Sequence, residues 1–329
     1  MARSVHYVRV FLLLCLALLL GDAFGQKAAD ALPIEHRSSC AARMRDVIAS
    51  AQGSVYDYEG AANFTEPEAY YLVEYSIHGD ALTNPVLENV PPDLADEQAD
   101  TGLQYRAWEI FAQMIPAQDR RMLAQFNIFT DGYSNTLAAV DQSTQDTSLW
   151  ILEVDIADLE DRAVLLFTLV HEYAHLFTLE AAQVIPDVEL IRDPYNLVLQ
   201  TEKTALCPNY FTGYGCSYED SYIHVFHQRF WADIDDEWRD ADALQYQSEN
   251  QVPYYNALYA FFKSHRDQFV DDYAVTHPTE DIAESFAYFV FSPQPPGDSI
   301  RERKVRFFYK YPELIRLRSG ILNAVCKPE

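Results

Sequence analysis

The stretch His171-Glu172-Tyr173-Ala174-His175 spells H-E-x-x-H. In an α-helix, residues four apart lie on one face a turn apart, so both imidazoles reach a single metal ion. Glu172 stands beside them, where a carboxylate can accept a proton from a metal-polarised water. Two histidines and a base are the minimal equipment for metal-assisted hydrolysis. The preceding residues predict the helix. Asp158 is the expected N-cap, Glu160 and Asp161 bring negative charge to the first turn, and Ala163 to Val170 is almost wholly apolar. An all-apolar helix is a buried one, so His171 and His175 enter the interior as polar groups. Two histidines hydrogen-bonded in a packed core are the plain alternative. A buried imidazole pair beside a carboxylate is costly unless satisfied, and a metal ion satisfies all three.

A catalytic zinc takes three protein ligands and keeps one position open. The extended motif H-E-x-x-H-x-x-G-x-x-H is excluded, because Thr178 and Ala181 stand at its last two offsets. A glutamate on a later helix is the remaining common option. The best block runs from Tyr273 to Phe289. Pro278-Thr279 opens a helix with Thr279 as expected N-cap, and Ile282, Phe286 and Phe289 form its apolar stripe. Glu280 and Glu284 then share one face. Stabilisation of the first turn by the helix dipole accounts for Glu280 and Asp281, but less well for Glu284.

These two blocks, His171-Glu172-x-x-His175 and Tyr273-x6-Glu280-x3-Glu284, resemble those of the gluzincin metallopeptidases. The nearest likeness is the branch that holds the anthrax lethal factor catalytic domain and the bacterial Pro-Pro endopeptidases. The resemblance covers about 30 residues. It implies one zinc ion per chain, held by His171, His175 and Glu280, with Glu172 as general base. It implies that Tyr273 hydrogen-bonds the developing oxyanion and that Glu284 orients His171 from behind. Glu284 as the ligand, with Glu280 a bystander, is the alternative. The implied fold is α+β and zincin-like. A small mixed sheet and the H-E-x-x-H helix form one lobe, and the other lobe is mostly helical. The implied activity is hydrolysis of a peptide or protein substrate. A metal-binding pseudoenzyme, or a zinc amidase acting on a non-protein substrate, are the competing readings.

The rest of the chain sets the frame. Met1–Gly25 reads as a secretory signal peptide, with Arg3 and Arg9 ahead of an apolar run too short to span a bilayer. No other run is long enough for a span, so a secreted protein is expected. Residues 26–100 form an N-terminal region of unclear role, and 101–329 the metallopeptidase domain. The formal net charge of −26 argues against nucleic acid and anionic membranes as partners. It leaves basic substrates open.

Past the signal peptide stand Cys40, Cys207, Cys216 and Cys326, an even count that suggests disulfides in an exported chain. Closing the short loop Cys207–Cys216 leaves Cys40–Cys326 to tie the ends. A Cys40 thiolate blocking the zinc from a pro-segment is the other reading. Asn63-Phe64-Thr65 is a glycosylation sequon.

Strands are predicted at 70–75, 125–130, 135–141 and 149–156, with a turn at Asp131-Gly132. The segment Leu149–Val154 reads either as the edge strand above the zinc, poised for β-augmentation by substrate, or as an ordinary strand of the sheet. Helical spacing covers 40–51, 103–115, 222–241, 254–271, 279–291 and 298–325. His224 and His227 read as packing residues rather than a second metal pair.

Overall fold

The computed structural model describes residues 34–51, 68–133, 136–248 and 250–327. The signal peptide and the Asn63 sequon lie outside the described residues. In chain order the elements begin with α1 (Ile34–Ala51), β1 (Tyr70–His78), β2 (Ala81–Leu87), α2 (Ala95–Ala99) and α3 (Thr101–Met114). Then come β3 (Leu123–Thr130), β4 (Ala138–Gln142), β5 (Trp150–Asp155) and α4 (Arg162–Leu179). An inserted segment follows, with β6 (Val184–Pro186), α5 (Val188–Arg192), α6 (Leu197–Leu206) and β7 (Gly215–Ser217). The remainder is helical: α7 (Tyr222–Phe230), α8 (Asp235–Asp242), α9 (Val252–Ser264), α10 (Pro278–Phe291), α11 (Ile300–Phe307) and α12 (Pro312–Val325).

The fold is α+β. Strands β1 to β5 form a mixed sheet in the order β2-β1-β3-β5-β4, with β3 and β5 parallel and the other pairs antiparallel. Residues on both sides of position 100 therefore share one sheet.

Two details of the sheet differ from the sequence reading. First, the candidate edge strand is an inner one: β5 lies between β3 and β4, and β4 is outermost. The apolar sequence Trp150-Ile151-Leu152, buried almost throughout, suits a strand flanked on both sides. The half-exposed Ala139, Val140, Asp141 and Gln142 suit the rim. Second, β2 was not predicted; it carries Pro85 and a positive-φ Asn84 (φ 51°). Pro is tolerated there because β2 is the opposite edge.

The central helix is α4, whose residues Val164 to Leu179 are all buried. Its N-cap is Asp161, not Asp158. The Asp161 carboxylate accepts from the backbone N–H groups of Ala163 and Val164. Helix α10, also buried along its whole length, packs against α4. The rings of Phe177 and Phe286 meet edge-to-face at 4.8 Å between the two helices.

The expected long helices are each broken. Trp231, fully buried, ends α7 and a turn precedes α8. Pro312 starts α12 afresh after α11. Both disulfides form as favoured, Cys40–Cys326 and Cys207–Cys216. Pairing with Cys326 removes Cys40 as a zinc-blocking thiolate. No helix among the described residues is long and apolar enough to cross a membrane.

Candidate metal centre

Helix α4 presents His171 and His175 one turn apart, and α10 brings Glu280 to them from its first turn. The three ligand atoms lie within 4.8 Å of one another, and all three side chains are buried. His171 Nε2 and His175 Nε2 are 3.1 Å apart. They stand 3.1 and 3.2 Å from Glu280 Oε2.

Behind the pair, Glu284 Oε1 lies 2.8 Å from His171 Nδ1. A carboxylate there holds the ring proton on Nδ1 and leaves the Nε2 lone pair facing Glu280 and His175. The meeting point therefore gathers two imidazole lone pairs and an anionic oxygen. They repel each other unless a proton or a cation sits between them. The donor set, two imidazoles and one carboxylate, matches that of catalytic zinc sites. Glu284 does not join the cluster. It faces His171 Nδ1 instead.

Electrostatics agree with this geometry. Burial pushes the Glu280 carboxyl up, but His175 and His171 outweigh it and hold the group well below its ordinary range. Burial alone lowers His171. The charge of Glu284, with hydrogen bonds to Glu280 and Glu284, reverses this and keeps it well above its usual value. A proton and a metal ion compete for the same nitrogen. Glu172, only 5 % exposed, is raised by burial to about 7, against the opposing pull of His171 and His175. Among the described residues its carboxylate accepts no hydrogen bond, which leaves it available to a reactant. Tyr273 lies in a turn just before α10, its ring 5.8 Å from that of His171.

The first turn of α10 is pinned by contacts the sequence reading missed. Asp281 accepts from Trp231 Nε1 at 2.7 Å and pairs with Lys304 Nζ at 2.6 Å. Both partners of this ion pair are fully buried. The Lys304 ammonium also sits 3.9 Å from the centre of the Phe269 ring. The actual N-cap of α10 is His277 rather than Thr279. Its Nδ1 accepts from the Thr279 backbone N–H at 3.2 Å, and burial pushes its pKa down to about 4, keeping it neutral for the task. No sequence rule flags a histidine cap.

Behind Glu284, burial and then the charge of Glu284 push Asp271 well above the ordinary carboxyl range. His227 and His224 stay out of any metal group. His227 bonds Asp235 at 3.0 Å and stacks on Tyr210, while His224 Nδ1 accepts from the Tyr210 backbone N–H.

No family model, curated protein or solved structure matches this chain.

Proposed function

We propose that this chain is a secreted zinc-dependent endopeptidase of zincin-like build, related in its chemistry to the gluzincins. One observation carries the reading. Three buried ligand atoms from His171, His175 and Glu280 converge within 4.8 Å, beside a buried Glu172 that accepts no hydrogen bond among the described residues. Secretion rests on the Met1–Gly25 leader, and two disulfides are compatible with it.

His171, His175 and Glu280 would hold the zinc, which would supply Lewis acidity for the scissile carbonyl and for ionising a water near neutral pH. Glu172 accepts the water proton and hands it to the leaving amine. Tyr273 donates its phenolic hydrogen to the oxygen on which charge develops. Glu284 keeps His171 in the tautomer that ligation needs. Extended substrate pairs with β4, the outer strand of the sheet, as an added strand.

The test is a broad peptide library incubated with the zinc-loaded protein, with and without a chelator. Cleavage that the chelator stops and zinc restores supports the proposal. Stoichiometric zinc without any cleavage points to a metal-binding protein that does not cut.

A further inference from the structure

Helix α6, in the inserted segment, is amphipathic the wrong way round. None of its residues is buried. Its half-buried side carries Leu199, Gln200, Lys203 and Thr204, three of them polar. At about 100° per residue, the opposite side carries Leu197, Val198, Thr201, Glu202, Ala205 and Leu206, and all of these are exposed. Val198 and Leu206 stand 70 % and 79 % open to solvent. A surface helix ordinarily turns its apolar stripe to the core. One exposed leucine is unremarkable, but an outward face that is mostly apolar marks an interaction surface.

The helix is braced at both ends and in the middle. The Asn196 side chain caps it, accepting from the Leu199 backbone N–H at 3.1 Å. Lys203 Nζ pairs with Asp187 Oδ2 at 2.7 Å and with Glu189 Oε2 at 2.8 Å, which ties α6 to the start of α5. The Cys207–Cys216 disulfide joins its C-terminal end to β7, which pairs with β6. At Gly215 a Cβ would fall 2.0 Å from the Ile185 carbonyl oxygen, so only glycine permits this pairing. A face fixed in advance loses little conformational freedom on binding.

Charge selects the occupant. The basic side chains of the inserted segment are already engaged, Lys203 by its two carboxylates and Arg192 by the Thr144 carbonyl at 3.4 Å. Among the described residues, no basic side chain pairs with Asp193, just before the helix, or with Glu202, on the exposed face. A two-fold pairing with a second copy, centred on this face, would set Glu202 against Glu202 and bring together two chains of charge −26. An anionic bilayer is repelled in the same way. We infer that the outer face of α6 docks a cationic amphipathic helix of a partner protein. Its apolar side chains would cover Leu197, Val198 and Leu206, and a lysine or arginine would meet Glu202. The surface has this use whether or not the metal centre cuts peptides.

The test titrates two model helical peptides into the whole protein by calorimetry, a leucine–lysine amphipath and its leucine–glutamate counterpart. Salt of about 0.15 M screens exposed charges more than about 8 Å apart. The lysine peptide should bind about tenfold tighter than the glutamate peptide or more. The double variant Val198→Ser, Leu206→Ser should weaken the lysine peptide about tenfold or more, with the melting temperature unchanged. Glu202→Lys should narrow or reverse the preference between the peptides. Four results overturn the inference: no binding of the lysine peptide, equal binding of the glutamate peptide, affinity that survives in the serine double variant, or self-association in ultracentrifugation that this variant abolishes. The third would mean general attraction to an acidic surface, and the fourth would give the face to a second copy. None of these readings uses zinc or cleavage, so they stand or fall apart from the proteolytic proposal.

Discussion

Glu280 and Asp281 are neighbours in sequence, and both are buried carboxylates, 1 % and 0 % exposed. Their surroundings differ completely. Asp281 is answered from within by the Lys304 ammonium, the Trp231 indole and the Ser285 hydroxyl. Among the described residues, Glu280 meets two histidine nitrogens whose lone pairs also need a partner. A buried polar group that the chain satisfies by itself is architecture. One left short of a cation is a binding site. The two clusters sit back to back on the first turn of α10, so the satisfied one holds the other in place.

Breaking each side should give different signatures. The largest effect belongs to the open side. Glu172→Ala should lower peptide hydrolysis by about 10²- to 10⁴-fold while zinc content stays unchanged, as read by steady-state kinetics and elemental analysis. Rates equal to wild type would exclude Glu172 as the base.

On the closed side, Lys304→Met leaves Asp281 charged and unpaired in the interior. It should cost about 3–5 kcal/mol of stability in denaturant unfolding. Adding Asp281→Asn should recover part of that loss, because a neutral amide replaces the stranded charge. A loss below about 1 kcal/mol would show the pair to be solvated and dispensable.

Opening the Cys207–Cys216 loop with paired serines should cost about 2 kcal/mol.

The smallest effect sharpens the comparison with an intermediate case. Glu153 is buried with only neutral donors, Tyr71 Oη at 2.6 Å and Asn127 Nδ2 at 3.0 Å, and burial raises its pKa to about 8. A carboxyl whose folded pKa is raised contributes stability below its unfolded pKa. That contribution is lost as pH rises through about 8. Glu153→Gln should therefore be more stable relative to wild type at pH 9 than at pH 5, by about 1–2 kcal/mol. A difference that does not change with pH would mean that Glu153 is ionised throughout.

Much of the open side was legible in the sequence. His171 and His175 are spaced for one helix face, Glu280 heads a recognisable later helix, and four cysteines past the leader-like segment admit few pairings. Local patterns carry that information. What stayed hidden depends on contacts across the chain. The burial of Lys304 against Asp281 joins residues 23 apart, and each alone reads as an ordinary helix-surface charge. The order of β4 and β5 turns on the parallel pairing with β3, which alternation cannot reveal. Strand β2 was masked by Pro85, and the break after α7 by an apolar run that continues through Trp231.

The central claim is that His171, His175 and Glu280 hold one metal ion, with Glu284 behind them. Zinc per chain, measured by elemental analysis on wild type, Glu280→Ala and Glu284→Ala, tests it most directly. The account predicts about one zinc in wild type, nearly none in Glu280→Ala, and partial retention with weaker affinity in Glu284→Ala. Wild type that takes up no zinc after reconstitution, or a Glu280→Ala protein that keeps its full complement, would contradict it.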